Sequence, residues 1–108
     1  MNIKKIGVVG AGQMGRGIAQ VAAMSGYETQ IFDISTESLS FAKDFITKQL
    51  AKGVTKGKWE ESLKTESLAR LTTTDNMSDL GDCDLLIEAA TENKEIKFSI
   101  FRNLNKIA

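Results

Sequence analysis

The sequence predicts an α/β fold built on a parallel sheet of about four strands wound with helices. Three observations carry that expectation. A run of apolar, mostly β-branched residues over 3–9 stops on the cluster Gly10-Ala11-Gly12, an amphipathic stretch follows, and a second strand pattern closes on Asp33. Strand and helix patterns then keep alternating, the order that parallel strands joined by crossover helices require.

Ile3 to Val9 reads as a buried first strand, broken only by Lys4, Lys5 and Gly7. Met14, Ile18, Val21 and Ala22 recur at helical spacing up to Met24, and Gly26 stands where a C-terminal cap belongs. Glu28 to Phe32 is the second strand. Ser35 or Thr36 can cap the next helix, which carries Leu39, Ala42, Ile46 and Leu50 on one face. A basic, glycine-containing run over 52–58 leads to another helical stretch at about Trp59 to Ala69. The third strand pattern, Arg70 to Thr74, begins 38 residues after Phe32, far beyond a plain crossover. A helical hairpin protruding between strands two and three is therefore expected. A short helical turn at Met77 to Leu80 leads to a fourth strand at Asp84 to Ala90. Ile96, Ile100, Leu104 and Ile107 then predict an amphipathic helix over 94–108.

Composition narrows the function classes. Fourteen Lys and Arg balance fourteen Asp and Glu, which leaves no basic footprint for nucleic acid or an acidic membrane surface. No apolar run approaches the roughly 20 residues of a membrane helix. Cys83 is the single cysteine and cannot close an intrachain disulfide, and the N-terminus does not read as a secretory signal, so the cytoplasm is the expected compartment. Histidine is absent, which removes the commonest general base and the commonest metal ligand. Either the chain performs no proton transfer, or the base stands on further sequence.

Gly10-Ala-Gly12-Gln-Met-Gly15 has the G-x-G-x-x-G spacing of a dinucleotide-binding turn in a Rossmann-type fold. Gly10 serves the tight turn, Gly12 the close approach of a pyrophosphate, and Gly15 the packing of helix on strand. The N–H groups of the helix start would face the phosphates. Asp33 lies 18 residues beyond Gly15, where a carboxylate can accept hydrogen bonds from the adenosine ribose and repel a 2′-phosphate. No arginine follows it in Ile34-Ser35-Thr36, so NAD is expected rather than NADP. The competing reading makes Asp33 a turn or helix-entry residue.

The residues from Lys5 to Gln20, KIGVVGAGQMGRGIAQ, resemble the opening of the 3-hydroxyacyl-CoA dehydrogenase family, particularly its bacterial 3-hydroxybutyryl-CoA members. The likeness continues through YETQIFDI, the run ending Lys56-Gly57-Lys58, LTTTD, and DCDLLIEAATEN followed by Lys97, in the family's order and spacing. It implies that Gly10, Ala11, Gly12, Gln13, Met14 and Gly15 hold the pyrophosphate of NAD and Asp33 its adenosine ribose. It further implies that Glu92 and Lys97 meet the nicotinamide half; read without it, these two are a solvated pair of charges. Lys52 and Lys56 resemble the lysines with which the family grips coenzyme A, and otherwise form a solvated basic patch. At Gln49 some relatives carry a serine that also touches coenzyme A.

In the family, hydride passes between C3 of a 3-hydroxyacyl-CoA and NAD while a histidine oriented by a glutamate takes the hydroxyl proton. The resemblance therefore implies that residues 1–108 are the N-terminal part of an NAD-binding domain, that the catalytic and dimerisation domain is not among them, and that this chain alone is inactive. A fourth strand without a neighbour, with strand order 3-2-1-4, leads to an expected homodimer or higher assembly. Two alternatives stay open, a stand-alone NAD-binding regulatory module and the N-terminal domain of another NAD-dependent dehydrogenase.

Overall fold

At the centre of the sheet lies β1 (Lys5–Val9), followed by α1 (Gln13–Met24), β2 (Glu28–Phe32), α2 (Thr36–Thr55), α3 (Glu61–Arg70), β3 (Leu71–Thr74), a 3₁₀ segment (Met77–Asp82), β4 (Leu85–Ala89) and β5 (Ile96–Ile100). These elements come from a computed structural model that describes residues 3–89 and the backbone of residues 96–100. Strand order is β3-β2-β1-β4-β5. The first four strands are parallel, in the expected 3-2-1-4 order, and β5 runs antiparallel to β4.

Flanked by β2 and β4, β1 has no solvent edge. Val8 and Ile31 on the central strands are fully buried, and so are Ile46 and Leu50 of α2. Leu39, Ala42, Ile46 and Leu50 form the buried face that their spacing predicted, each large member contributing about 1.5–3 kcal/mol on burial. Ser35 is the cap of α2, its hydroxyl accepting from the Ser38 N–H at 3.1 Å. The amino end of β1 is fastened by Asp84, whose carboxylate accepts from the Lys4 and Lys5 N–H groups at 2.8 and 3.0 Å. Those two bonds hold its carboxyl below the usual carboxylate range.

Two helices, α2 and α3, fill the long connection between β2 and β3. They pack on each other and on α1, and the Arg70 guanidinium donates to the Ala23 carbonyl at 2.8 Å. The pair is thus fastened to the helical layer at its root.

The C-terminal expectation is corrected. Ile96–Ile100 is a strand paired with β4, where a helix carrying Ile96 and Ile100 was expected; Leu104 and Ile107 lie outside the described residues. The sequence Ile-Lys-Phe-Ser-Ile is apolar at every second position as well as at i and i+4, so five residues satisfy both periods. An unpaired edge of β4, with its free N–H and C=O groups, favours the strand. The neighbourless fourth strand expected from the sequence is corrected with it.

Candidate functional site

Because the strands are parallel and in register, Val9 lies beside Phe32 on one side and Glu88 on the other. The residues that leave β1, β2 and β4 therefore gather at one edge of the sheet, the place where open α/β sheets receive ligands.

Gly10 leaves β1 with φ +108°, a conformation L side chains avoid, and donates its N–H to the Phe32 carbonyl at 2.8 Å. A Cβ there would stand 2.9 Å from the Ala89 carbonyl oxygen, so the turn is pressed against the exit of β4. At Gly15 a Cβ would overlap the Gly10 carbonyl, which is why α1 can begin directly beneath the turn. Ala11 is buried, Gln13 is exposed, and Met14 is half-buried along α1.

The start of α1 is left without a side-chain cap. Gly12 is its N-cap residue, no side chain accepts from the first turn, and that turn carries no acidic residue. Its leading N–H groups have no acceptor within the helix and present the positive end of the dipole. By contrast, α2 begins with the Ser35 cap and Glu37 in its first turn. Of the two helix starts at this edge, one is furnished internally and the other is open to an anion.

Asp33 joins the pieces. Its Oδ2 accepts from the Ala11 N–H at 2.9 Å and its Oδ1 from the Ser35 N–H at 2.9 Å. The second bond is the turn role that competed with ribose binding in the sequence; the first links Asp33 to the glycine turn. A carboxylate has about four acceptor positions, so two remain for further donors.

Other named residues fall elsewhere. Glu92 lies outside the described residues, and Lys97 stands on β5 opposite Glu88 in the antiparallel register. Lys52 and Lys56 are exposed at the far end of α2, where Gln49, Lys52, Gly53, Lys56, Lys58 and Trp59 line a cavity of about 110 Å³. Sixteen to twenty residues of helix, about 24–30 Å, separate them from the start of α2 beside Asp33, so the structure keeps the glycine turn and the lysines apart. Trp59 in that cavity escaped the sequence reading, although a lone tryptophan directly after a basic run is a visible signal. The packing of Arg16 over Phe41 and Phe45, 4.9 and 4.7 Å from their ring centroids, also escaped it.

Cys83 is buried beneath β1, and burial pushes its thiol up to about 11, which makes it a packing residue and not a nucleophile. Among the described residues there is no group of three or more His, Cys, Asp or Glu side chains arranged to hold a metal ion. No described helix is long and apolar enough to cross a membrane.

Comparison with known proteins adds to this geometry. Residues 5–108 match the family described as 3-hydroxyacyl-CoA dehydrogenase, NAD binding domain. The chain is 45% identical over 102 residues to a 3-hydroxybutyryl-CoA dehydrogenase of Bradyrhizobium diazoefficiens, covering 94% of this chain and 35% of that protein. It is 46% identical over 103 residues to a probable 3-hydroxybutyryl-CoA dehydrogenase of Deinococcus radiodurans, covering 95% and 37%. Among solved structures, the 3-hydroxybutyryl-CoA dehydrogenase of Escherichia coli K12 superposes with a TM-score of 0.82 at 40% identity, over 85% of this chain and 20% of that one. The chain thus spans about a third of the length of the curated relatives it matches.

Proposed function

Since the chain belongs to the 3-hydroxyacyl-CoA dehydrogenase family, through that family's NAD-binding domain, we propose that it is the cofactor-holding part of a dehydrogenase acting on short-chain 3-hydroxyacyl-CoA or 3-ketoacyl-CoA thioesters. The observation that carries the reading is the open start of α1 behind a turn in which Gly10 and Gly15 leave no room for a Cβ. When bound, NAD would accept the hydride that leaves C3 of the 3-hydroxyacyl thioester, and its reduced form would return it to C3 of the 3-ketoacyl thioester. The protein's part is to hold and orient. The turn of Gly10, Ala11, Gly12, Gln13, Met14 and Gly15 receives the pyrophosphate, with the uncapped N–H groups at the start of α1 facing it and no Cβ at Gly12 in the way. Asp33, with acceptor positions to spare, receives the adenosine ribose hydroxyls. Glu92 and Lys97 serve the nicotinamide half, and Lys52 and Lys56 the phosphates of coenzyme A.

Residues 1–108 act in this reading as the N-terminal part of the whole enzyme, and a further domain carries the base that takes the substrate proton. The chain by itself binds NAD and does not turn over acetoacetyl-CoA. It works in the cytoplasm, in keeping with a lone buried thiol at Cys83. It self-associates through the apolar groove of Ile6, Ile18, Val21, Tyr27 and Ile87, where Val21 is 64% exposed. Light scattering at rising concentration should show a mass above the 11.8 kDa of one chain, and a constant monomer mass would refute that assembly.

Calorimetric titration tests the cofactor reading. Wild-type chain should bind NAD in preference to NADP. Asp33→Ala should weaken NAD about tenfold or more and narrow the preference, on the scale of lost hydrogen bonds to a charged group. Equal affinities for both cofactors, unchanged in the variant, would remove Asp33 from the ribose site.

A further inference from the structure

The bend between α2 and α3 holds the only tryptophan of the chain. Its indole N–H donates to the Leu50 carbonyl at 2.9 Å, and its ring lies so close to α2 that a Cβ at Gly53 would overlap it. Trp59 is half-buried, and it lines the cavity shared with Gln49, Lys52, Lys56 and Lys58. Among the described residues, none of the three lysines forms an ion pair.

A merely solvated basic turn requires neither a cavity nor a clamped ring. Here the indole is fixed at its N–H and seated on a helix glycine, so stacking against it costs little ordering on binding. Lysine ammonium groups at the rim of a rigid aromatic surface are the combination that takes a nucleotide, base on the ring and phosphates on the cations.

We propose that Trp59 is the base platform of this cavity, carrying the adenine of coenzyme A while Lys52, Lys56 and Lys58 hold the phosphates. The proposal rests on the reading of Lys52 and Lys56 as contacts to the phosphates of coenzyme A and adds to it the residue that takes the base. Gly53 belongs to the same device, since any side chain there would lift the indole from its seat.

The single tryptophan reports on its own site. The 108-residue chain is titrated with coenzyme A, adenosine 3′,5′-bisphosphate, pantetheine and NAD while tryptophan emission is followed. Coenzyme A and the bisphosphate should quench emission saturably, and pantetheine and NAD should not. By calorimetry, Trp59→Ala should weaken coenzyme A binding about tenfold, and Trp59→Phe, which keeps a ring, less. Circular dichroism checks that each variant is folded; if Trp59→Ala is not, Trp59→Phe and the wild-type emission decide. If Lys56→Glu weakens coenzyme A binding but the Trp59 variants do not, the phosphate contact stands and the platform falls. Quenching by pantetheine as strong as by coenzyme A also refutes the platform. If Lys56→Glu changes nothing, or no ligand gives a saturable response, the lysine reading falls and the platform with it.

Discussion

Asp33 shows how one side chain joins two parts of the fold at the candidate site. Its two oxygens satisfy the Ala11 and Ser35 N–H groups, so the glycine turn and the start of α2 are tied to the same carboxylate. Asp33→Ala should therefore lose about 1–3 kcal/mol of stability alongside the NAD preference proposed for it, measurable by urea denaturation of the same variant. Cys83 makes the opposite case, a reactive group made inert by packing. Its thiol, raised to about 11 by burial, must stay protonated in the fold, whereas the unfolded thiol ionises near about 8.5. Stability tied to it is complete below about pH 8.5 and declines as pH rises toward 11. Iodoacetamide at about pH 8.5 should leave the native thiol unlabelled and modify it once urea unfolds the chain.

Among the elements, α2 carries the most of what was legible in the sequence. Its cap at Ser35 and its face of Leu39, Ala42, Ile46 and Leu50 are local patterns, and the structure has both. The glycine turn was legible for the same reason, since Gly10 and Gly15 sit where a Cβ would strike backbone carbonyls. What closes α2 against α3 was not legible, because it is Trp59 reaching back across the bend to Gly53 and Leu50. Gly53→Ala tests that closure. The new methyl would displace the indole, so the variant should lose about 1–3 kcal/mol, as overpacked sites do, and its tryptophan emission should shift toward the red of an exposed ring. An unchanged melting temperature and spectrum would show that the indole has another resting place.

On the scale of the molecule, the sheet is drawn together at both edges. At the amino end of β1, Asp84 accepts two backbone N–H groups, and the Lys5 ammonium pairs with Asp82 at 2.8 Å and lowers its carboxyl too. Groups whose folded value is depressed stabilise the fold above the unfolded carboxylate range, near pH 4, and lose that contribution as pH falls through their lowered values. Asp84→Asn should accordingly flatten the acid side of the stability curve: urea midpoints of wild type should fall more steeply below about pH 4 than those of the variant. At the carboxyl end, the glycine turn, Asp33 and the exit of β4 converge although they are 23 to 79 residues apart in the numbering of Gly10, Asp33 and Ala89.

The sequence by itself determined the parallel α/β class, the first four strands and their helices, the glycine turn and Asp33, since each rests on short-range periodicity, caps or a backbone conformation that only glycine adopts. Tertiary structure alone decided the fate of Ile96–Ile100, the bond that Asp33 accepts from Ala11, and the seat of Trp59. In each of these the residue's own neighbours allow more than one outcome. What chooses is a partner distant in sequence: an open strand edge, a free N–H, or a helix glycine that leaves room for a ring.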